Sequence, residues 1–391
     1  MTVVGDQSVV GVDLCERAAE VADLAERDSG EAELAGRLTD VVVDALHEAG
    51  LFGLWVPRSL GGAELDVLAS LEVVERLAYG DPAVGWVLFA TGLITATTGA
   101  YCGDEAVERL FSGPRFPVIA GQGTLPRSAV PADGGYVLSG AWSFGSGMLH
   151  AQYTHNLAIV EGTGDARIFC TGVEDIEMDL ASWDVLGLRA TGSIDYTIDG
   201  VFVPEAFTHP AGQTGSTRGG PLYELGIIGF VTLGHAAWAL GVSRRMLDEL
   251  YAKVQARAGR AGAQAESDAF LESIWKAESR HRSARALVHE TWGNVSETFA
   301  RGDQLTVQDQ TLMRLALSNA TWSAHEVAQS VYAASGTSGL RAGPLQKLFR
   351  DTHAGTQHIS SGPGVRRNTG RALAGLAQGK TWKFLDLDNP T

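Results

Sequence analysis

Residues 183–205 read Trp183-Asp184-Val185-Leu186-Gly187-Leu188-Arg189-Ala190-Thr191-Gly192-Ser193-Ile194-Asp195-Tyr196-Thr197-Ile198-Asp199-Gly200-Val201-Phe202-Val203-Pro204-Glu205. In the second half Ile194, Tyr196 and Ile198, then Val201 and Val203, fall at every second position around a turn signal at Asp199-Gly200, which is the pattern of half-buried strands. The period of two holds from about Phe116 to His209, with another turn signal at Asp133-Gly134-Gly135. On both sides the apolar spacing is helical. The chain therefore reads as an α+β protein in three parts. Residues 1–115 form an N-terminal helical domain and 116–211 a middle β-domain, expected as a barrel or sandwich. Residues 212–391 form a C-terminal bundle of three or four long helices. Single strands do not alternate with single helices, which argues against a doubly wound nucleotide-binding fold.

Within the first part, Leu34, Leu38, Val41, Val42, Ala45 and Leu46 predict one amphipathic helix stopped by Gly50 and Gly53, and Leu65, Leu68, Leu71, Val74 and Leu77 predict a second. Asp81-Pro82 supplies an N-cap and a first-turn proline for a third. That helix carries no charge from Ala83 to Ala100, but it is barely long enough for a bilayer, holds three glycines and lacks flanking anchors, so a buried core helix is expected. Gly85, Gly92 and Gly99 share one face, open to another backbone or a flat ligand. Thr91, Thr95 and Thr98 share another, where they either bond back to carbonyls one turn earlier or line a pocket. The glycine-rich run Gly212–Gly220 reads as a linker or mobile loop, and the later helices break at Gly259–Gly262, Ser335–Gly343 and Ser360–Gly364.

The 391 residues are 45% hydrophobic, enough for one catalytic subunit with a sizeable core. A net charge of −16 argues against nucleic acid and anionic membranes as partners. Cys15, Cys102 and Cys170 are odd in number and far apart, so neither a disulfide framework nor a zinc site is expected. No secretory signal is expected at the N-terminus, and a cytoplasmic location fits. There is no GxxxxGK[ST], GxSxG or HExxH, and no GxGxxG between a strand and a helix. His353 and His358 stand at i and i+5, off the spacing for two metal ligands on one helix. No metal is expected, and any cofactor should be organic.

The stretch 183–205 resembles the end of the β-domain in the acyl-CoA dehydrogenase fold. Pro344-Leu345-Gln346-Lys347-Leu348-Phe349-Arg350-Asp351 resembles that fold's helix with an arginine-aspartate pair before the active-site loop. With the helical, β, helical order, the resemblance covers nearly the whole chain. It implies a flavin site between the β-domain and the last bundle, usually in a homotetramer. Two dehydrogenase signatures are absent. The TExxAGSD-like segment is replaced by Gly121-Gln122-Gly123-Thr124-Leu125-Pro126-Arg127-Ser128, and the position of a catalytic glutamate is held by Ser360. Serine cannot act as the base that removes an α-proton. Ser139–Gly147 and Arg350–His358 instead resemble the two-component (group D) flavin-dependent monooxygenases of the same fold. That implies reduced FMN or FAD delivered by a separate flavin reductase in transient contact. It also implies O2, and transfer of one oxygen through a C4a-hydroperoxide to a small, mostly apolar substrate, aromatic, polycyclic or amine-bearing.

By this resemblance Ser146 lies near flavin N5, where a short hydroxyl helps the nitrogen keep its proton in a site closed to water; a turn-capping role is the other account. His353 and His358 are candidates to protonate the peroxide or to take a substrate proton, with hydrogen-bonded core roles open for each. Gln122, Gly123, Trp142 and Gly147 are expected beside Ser146 against the flavin, although core packing explains Trp142 equally well. Trp86, Thr95 and Glu224 are expected on the substrate side, and His150 in a structural role. Phenol-hydroxylating relatives often offer a histidine from the uncharged helix, where this chain has Leu93, Ile94, Thr95 and Thr98. Glu224 stands near the position of the base in a minority of acyl-CoA dehydrogenases, and a helix dipole accounts for it as well. Two other readings therefore stay open: a dehydrogenase or oxidase with Glu224 as base, and a flavin-fold protein retained for binding or assembly.

Overall fold

The computed structural model describes residues 7–256, 258 and 267–388; the expected break at Gly259–Gly262 lies outside the described residues. Five helices come first: α1 (Gln7–Ala35), α2 (Asp40–Glu48), α3 (Val67–Gly80), α4 (Pro82–Tyr101) and α5 (Asp104–Leu110). The stripe from Leu34 to Leu46 is not one helix, because the chain turns between α1 and α2 at Gly36, φ +68°. Leu34 is consequently 90% exposed, whereas Leu38, Val42 and Leu46 are buried. The start of α4 is as its sequence predicts: Asp81 Oδ1 accepts from the amides of Ala83 (2.8 Å) and Val84 (3.2 Å). Both α4 and the segment Pro221–Gln255 are long and apolar enough to cross a membrane, and both are buried inside the protein. The glycine face of α4 meets protein and not a flat ligand. A Cβ at Gly85 would fall 2.7 Å from that of Ala78, and one at Gly99 3.1 Å from Leu60.

Seven strands follow: β1 (Ile119–Ala132), β2 (Gly135–Gly145), β3 (Tyr153–Val160), β4 (Ala166–Gly172), β5 (Glu177–Asp179), β6 (Ile194–Pro204) and β7 (Thr208–Pro210). The domain expected as a barrel or sandwich is, by its hydrogen bonding, one mixed sheet in the order β5-β6-β2-β1-β3-β4-β7, with β1 and β3 parallel. Asp199-Gly200 is not a hairpin turn but a bulge inside β6. Leu138 pairs with Val201 and Gly140 with Ile198, so the residue between them on β2 faces two on β6, and Gly200 takes φ +68°.

The run after β7 is not a free linker. The Thr217 amide and hydroxyl both donate to the Ala100 carbonyl, Arg218 donates to the Cys102 carbonyl (2.7 Å) and pairs with Asp104, and the Gly220 amide donates to Glu64 Oε1 (2.6 Å). Orphan carbonyls at the end of α4 are satisfied by this strap. The bundle then comprises α6 (Gly226–Gln255), α7 (Asp268–Ala300), α8 (Val307–Ser335), α9 (Pro344–Gly355) and α10 (Pro363–Leu373), with a short hairpin of β8 (Thr381–Lys383) and β9 (Asp386–Asp388).

The stretch 183–193 docks the sheet onto α9. A Cβ at Gly187 would lie 2.2 Å from the Arg350 carbonyl oxygen, so only glycine fits there. Leu188, in the left-handed region at φ +56°, donates its amide to Asp351 Oδ1 (2.6 Å), and Arg350 Nη1 donates to the Leu186 carbonyl (2.8 Å). Lys347 Nζ joins Asp351 Oδ2 (2.8 Å) to Asp81 Oδ2 (2.9 Å), tying α9, the docking loop and the cap of α4 into one node.

Candidate active site

Where the sheet, α4, α6, α8 and α9 converge, they enclose a cavity of about 750 Å³, a size typical of small-molecule sites. Trp86, Phe89, Ala90, Leu93 and Ile94 of α4 and Ile227, Ile228 and Val231 of α6 form its apolar walls. The sheet side is built from Gly121–Gly123, Phe144, Ser146, Thr191 and Ser193. Phe144 sits in the left-handed region at φ +65° and is 63% exposed, with its ring edge-on to Trp183 at 6.3 Å. A bulky residue held in that backbone conformation is strained, and here its side chain lines the cavity.

Four groups form a directed line of hydrogen bonds. The Thr191 hydroxyl donates to the Leu188 carbonyl (2.8 Å), so at its 2.7 Å contact with Ser193 it accepts. Ser193 thus directs its proton to Thr191, and at 2.8 Å it accepts from Ser146. Trp86 Nε1 donates to Ser146 Oγ at 3.1 Å. Ser146 is left with a free lone pair and no proton to give, so its free side is an acceptor.

The histidines are sorted by their bonds. His358 Nδ1 receives the amide (3.3 Å) and the hydroxyl (2.7 Å) of Ser360, which puts its proton on Nε2. Burial pushes this imidazole down to about 4, so it stays neutral at pH 7. His353 has the opposite tautomer: Nδ1 donates to the Phe349 carbonyl at 2.7 Å, leaving Nε2 as acceptor in the neutral ring. Its ring packs against His325 at 4.5 Å. Trp86 is the hub behind these groups, edge-on to Trp238 (5.0 Å), His235 (5.1 Å) and His358 (5.6 Å). His235 is fully buried, and burial, then the neighbouring His358, hold it well below its usual range.

Residues 16–112 match the family described as acyl-CoA dehydrogenase, N-terminal domain, and residues 233–363 match acyl-CoA dehydrogenase, C-terminal domain. The chain belongs to the acyl-CoA dehydrogenase family. Within that family it is similar to an indole-3-acetate monooxygenase of Pseudomonas putida, 29% identical over 383 residues, 93% of this chain and 97% of that protein. It is similar also to the flavin-dependent monooxygenase oxygenase subunit HsaA of Mycobacterium tuberculosis, 27% identical over 359 residues, 86% of this chain and 89% of that protein. In fold it superposes on the crystal structure of the 3-HSA hydroxylase from Rhodococcus sp. RHA1 with a TM-score of 0.88 at 24% identity, covering 96% of this chain and 99% of that one. The chain is thus a flavin-dependent oxidoreductase of the monooxygenase type. Ser360, expected at the place of the dehydrogenase glutamate, is buried and bonded to His358.

The residues singled out from the sequence divide accordingly. Ser146, Gln122, Gly123, Trp86, His353 and His358 come together on this cavity. Gly147, φ +78°, backs Ser146 and packs on α4, where a Cβ would meet Thr91 at 2.7 Å. Trp142 lies elsewhere: it is buried in the sheet, stacked on Tyr196 and donating Nε1 to the Leu157 carbonyl (3.1 Å), because its side chain points to the β-core. Thr95 takes the back-bonding alternative, donating to the Thr91 carbonyl at 2.9 Å, and does not line the cavity. Glu224 falls in the short 3-10 turn before α6 and does not reach the cavity, which leaves the base reading without a site. Among the described residues there is no cluster of three or more metal-ligating side chains. Sequence reasoning passed over Phe144, Ser193, His155, His235 and His325. Ser193 and Phe144 lay inside stretches already singled out; for the histidines no spacing signal existed.

Proposed function

We propose that the chain is an oxygenase component that receives reduced FMN or FAD from a separate reductase and hydroxylates a small aromatic substrate. The observation that carries this reading is the acceptor face of Ser146, fixed by the one-way line Trp86–Ser146–Ser193–Thr191. Reduced flavin bears a proton on N5, and an acceptor without a competing proton suits it. The strained, exposed Phe144 supports a flat ring beside it, and Gln122 and Gly123 support the ring's other edge. Reduced flavin, when bound, would supply the two electrons that activate O2, of which one oxygen atom goes to the substrate and the other leaves as water. The chain's own residues do the rest: apolar walls from α4 and α6 exclude water, which prolongs any reactive oxygen species. His353 Nε2 is positioned as proton acceptor for the substrate, and His358 Nε2–H as a neutral hydrogen-bond donor. Because its cation forms only near pH 4, His358 carries no transferable proton at neutral pH, so donation without transfer is the role we assign to it. Exposed Leu271 and Trp275, one turn apart on α7, support self-association in the proposed homotetramer.

The test is direct. The protein is mixed with reduced FMN or FAD and heavy-isotope O2 in the presence of indole and resorcinol. Label in an aromatic product supports the assignment; hydrogen peroxide alone, with no labelled product from any aromatic, overturns it.

A further inference from the structure

One buried group at the cavity plays no part in the proposed reaction. His155, on β3, is 1% exposed and lines the cavity beside Gly121–Gly123, yet neither of its ring nitrogens has a partner. Its ring neighbour is His209 at 6.0 Å, whose Nδ1 is bonded to the Pro210 carbonyl. Unpaired polar atoms in a protein interior are costly and rare. The ring borders the cavity wall with its nitrogens closed to solvent, so a molecule packed against that wall is the partner most simply brought to them.

The sheet order says which end of the cavity this is. Ser146 follows directly on β2, and β1 lies between β2 and β3, so His155 stands about two strand spacings away, roughly 10 Å. On its other side His155 is paired with Cys170, whose Sγ contacts Thr98 Oγ1 of α4 (3.6 Å). His155 therefore faces the α4 wall, where Leu93 and Ile94 meet Ile227 and Val231 in an apolar chamber. Among the described residues that line the cavity there is no Lys, Arg, Asp or Glu.

We propose that His155 anchors a neutral hydrogen-bonding group, a hydroxyl or a ring N–H, on the aromatic substrate, and that the chamber rejects aromatic carboxylates. The proposal rests on the oxygenase reading for the reaction but not for the binding. A hydroxyl or N–H finds an acceptor on the imidazole, and because no protein group fixes its tautomer, the ring adapts to either partner. A carboxylate there would be buried without a cation, which strongly disfavours it.

The experiment measures equilibrium binding without flavin, by isothermal titration calorimetry. The probes are indole, indene (the same skeleton without N–H) and indole-3-acetate. The wild-type chain should bind indole about tenfold more tightly than either of the others. His155→Phe should weaken indole about tenfold, leave indene within about twofold and erase the preference, whereas His155→Gln, which keeps a donor and an acceptor, should retain most of it. Affinity for reduced FMN and FAD should be the same in all three proteins. The proposal is overturned if the indole preference survives in His155→Phe, if indole-3-acetate binds wild type as tightly as indole, or if flavin affinity falls with the substitution. Should His155→Phe fail to fold, the wild-type ratios and His155→Gln decide. If the ratios hold and no aromatic gains oxygen, the anchor stands and the oxygenase reading falls.

Discussion

Replacing Lys347 with Met tests how the site is held together. The lysine is 12% exposed and sits between Asp81 and Asp351, whose side chains are 4% and 1% exposed. Each carboxylate also makes a second contact. Asp81 Oδ1 caps α4, and Asp351 Oδ1 holds the amide of Leu188, a cavity residue in the left-handed region. Burial raises the Asp351 carboxyl, while Lys347 and the Leu188 amide oppose that rise. Methionine keeps the apolar stem and removes the only Nζ in the node. Two carboxylates that share a dry site cannot both stay ionised, and removing one partner of a buried ion pair costs about 3–5 kcal/mol. In the variant a folded-state carboxyl is raised above its unfolded value, so its folded form binds a proton that the unfolded chain has already lost. Stability of the variant relative to wild type should fall as pH rises. Denaturant unfolding followed by tryptophan fluorescence should show the full deficit of about 3–5 kcal/mol near pH 8, and a deficit smaller by about 1–2 kcal/mol near pH 5.5. Adding Asp81→Asn should recover part of it, since the amide still accepts from Ala83 and Val84 and carries no charge. A deficit below about 1 kcal/mol at both pH values, or one that widens on acidification, would refute this account of the node.

Three other outcomes are expected. Ser146→Ala, and more mildly Trp86→Phe, should lower the aromatic product formed per reduced flavin and raise hydrogen peroxide correspondingly, by about tenfold for the alanine if the lost bond is worth about 1.4 kcal/mol; unchanged coupling in a peroxide assay would remove Ser146 from its proposed place. Gly187→Ala should cost at least about 1–3 kcal/mol because its Cβ would meet backbone, the Arg350 carbonyl at 2.2 Å, which no rotamer change relieves; a melting temperature equal to wild type would mean the loop docks differently. His209, His281 and His358 are each pushed from 6.5 down to about 4 by burial. Stability from keeping them neutral is complete above 6.5 and lost as pH falls through 4, roughly 2 kcal/mol per histidine between pH 8 and pH 5; melts that do not weaken on acidification would contradict the burial of these rings.

What the sequence disclosed and what it withheld differ by physical type. Periodicity revealed the helical, β, helical order, and the Asp81-Pro82 cap was legible because capping is a local rule with a fixed offset. Local rules also misled. Asp199-Gly200 has turn chemistry, but φ > 0 serves a bulge as well as a hairpin, and only the partner strand decides between them. Leu34 fits the helical stripe by spacing, yet one left-handed glycine two residues later rotates it into solvent. The polar run 212–220 looked unattached because its acceptors, the last carbonyls of α4, lie more than a hundred positions earlier in sequence. The cavity shows the same division. Ser146, His353 and His358 were found through resemblance, since their loops keep a family spacing. Trp142 shares the parity of Phe144 and Ser146, but an irregularity in β2 between Trp142 and Gly145, with Phe144 at φ +65°, breaks the alternation, and Trp142 turns into the β-core. His155 carried no signal at all, since a histidine in Tyr153-Thr154-His155-Asn156 reads as one more strand residue. It becomes conspicuous only when hydrogen bonds are accounted for in three dimensions and two of its atoms have none.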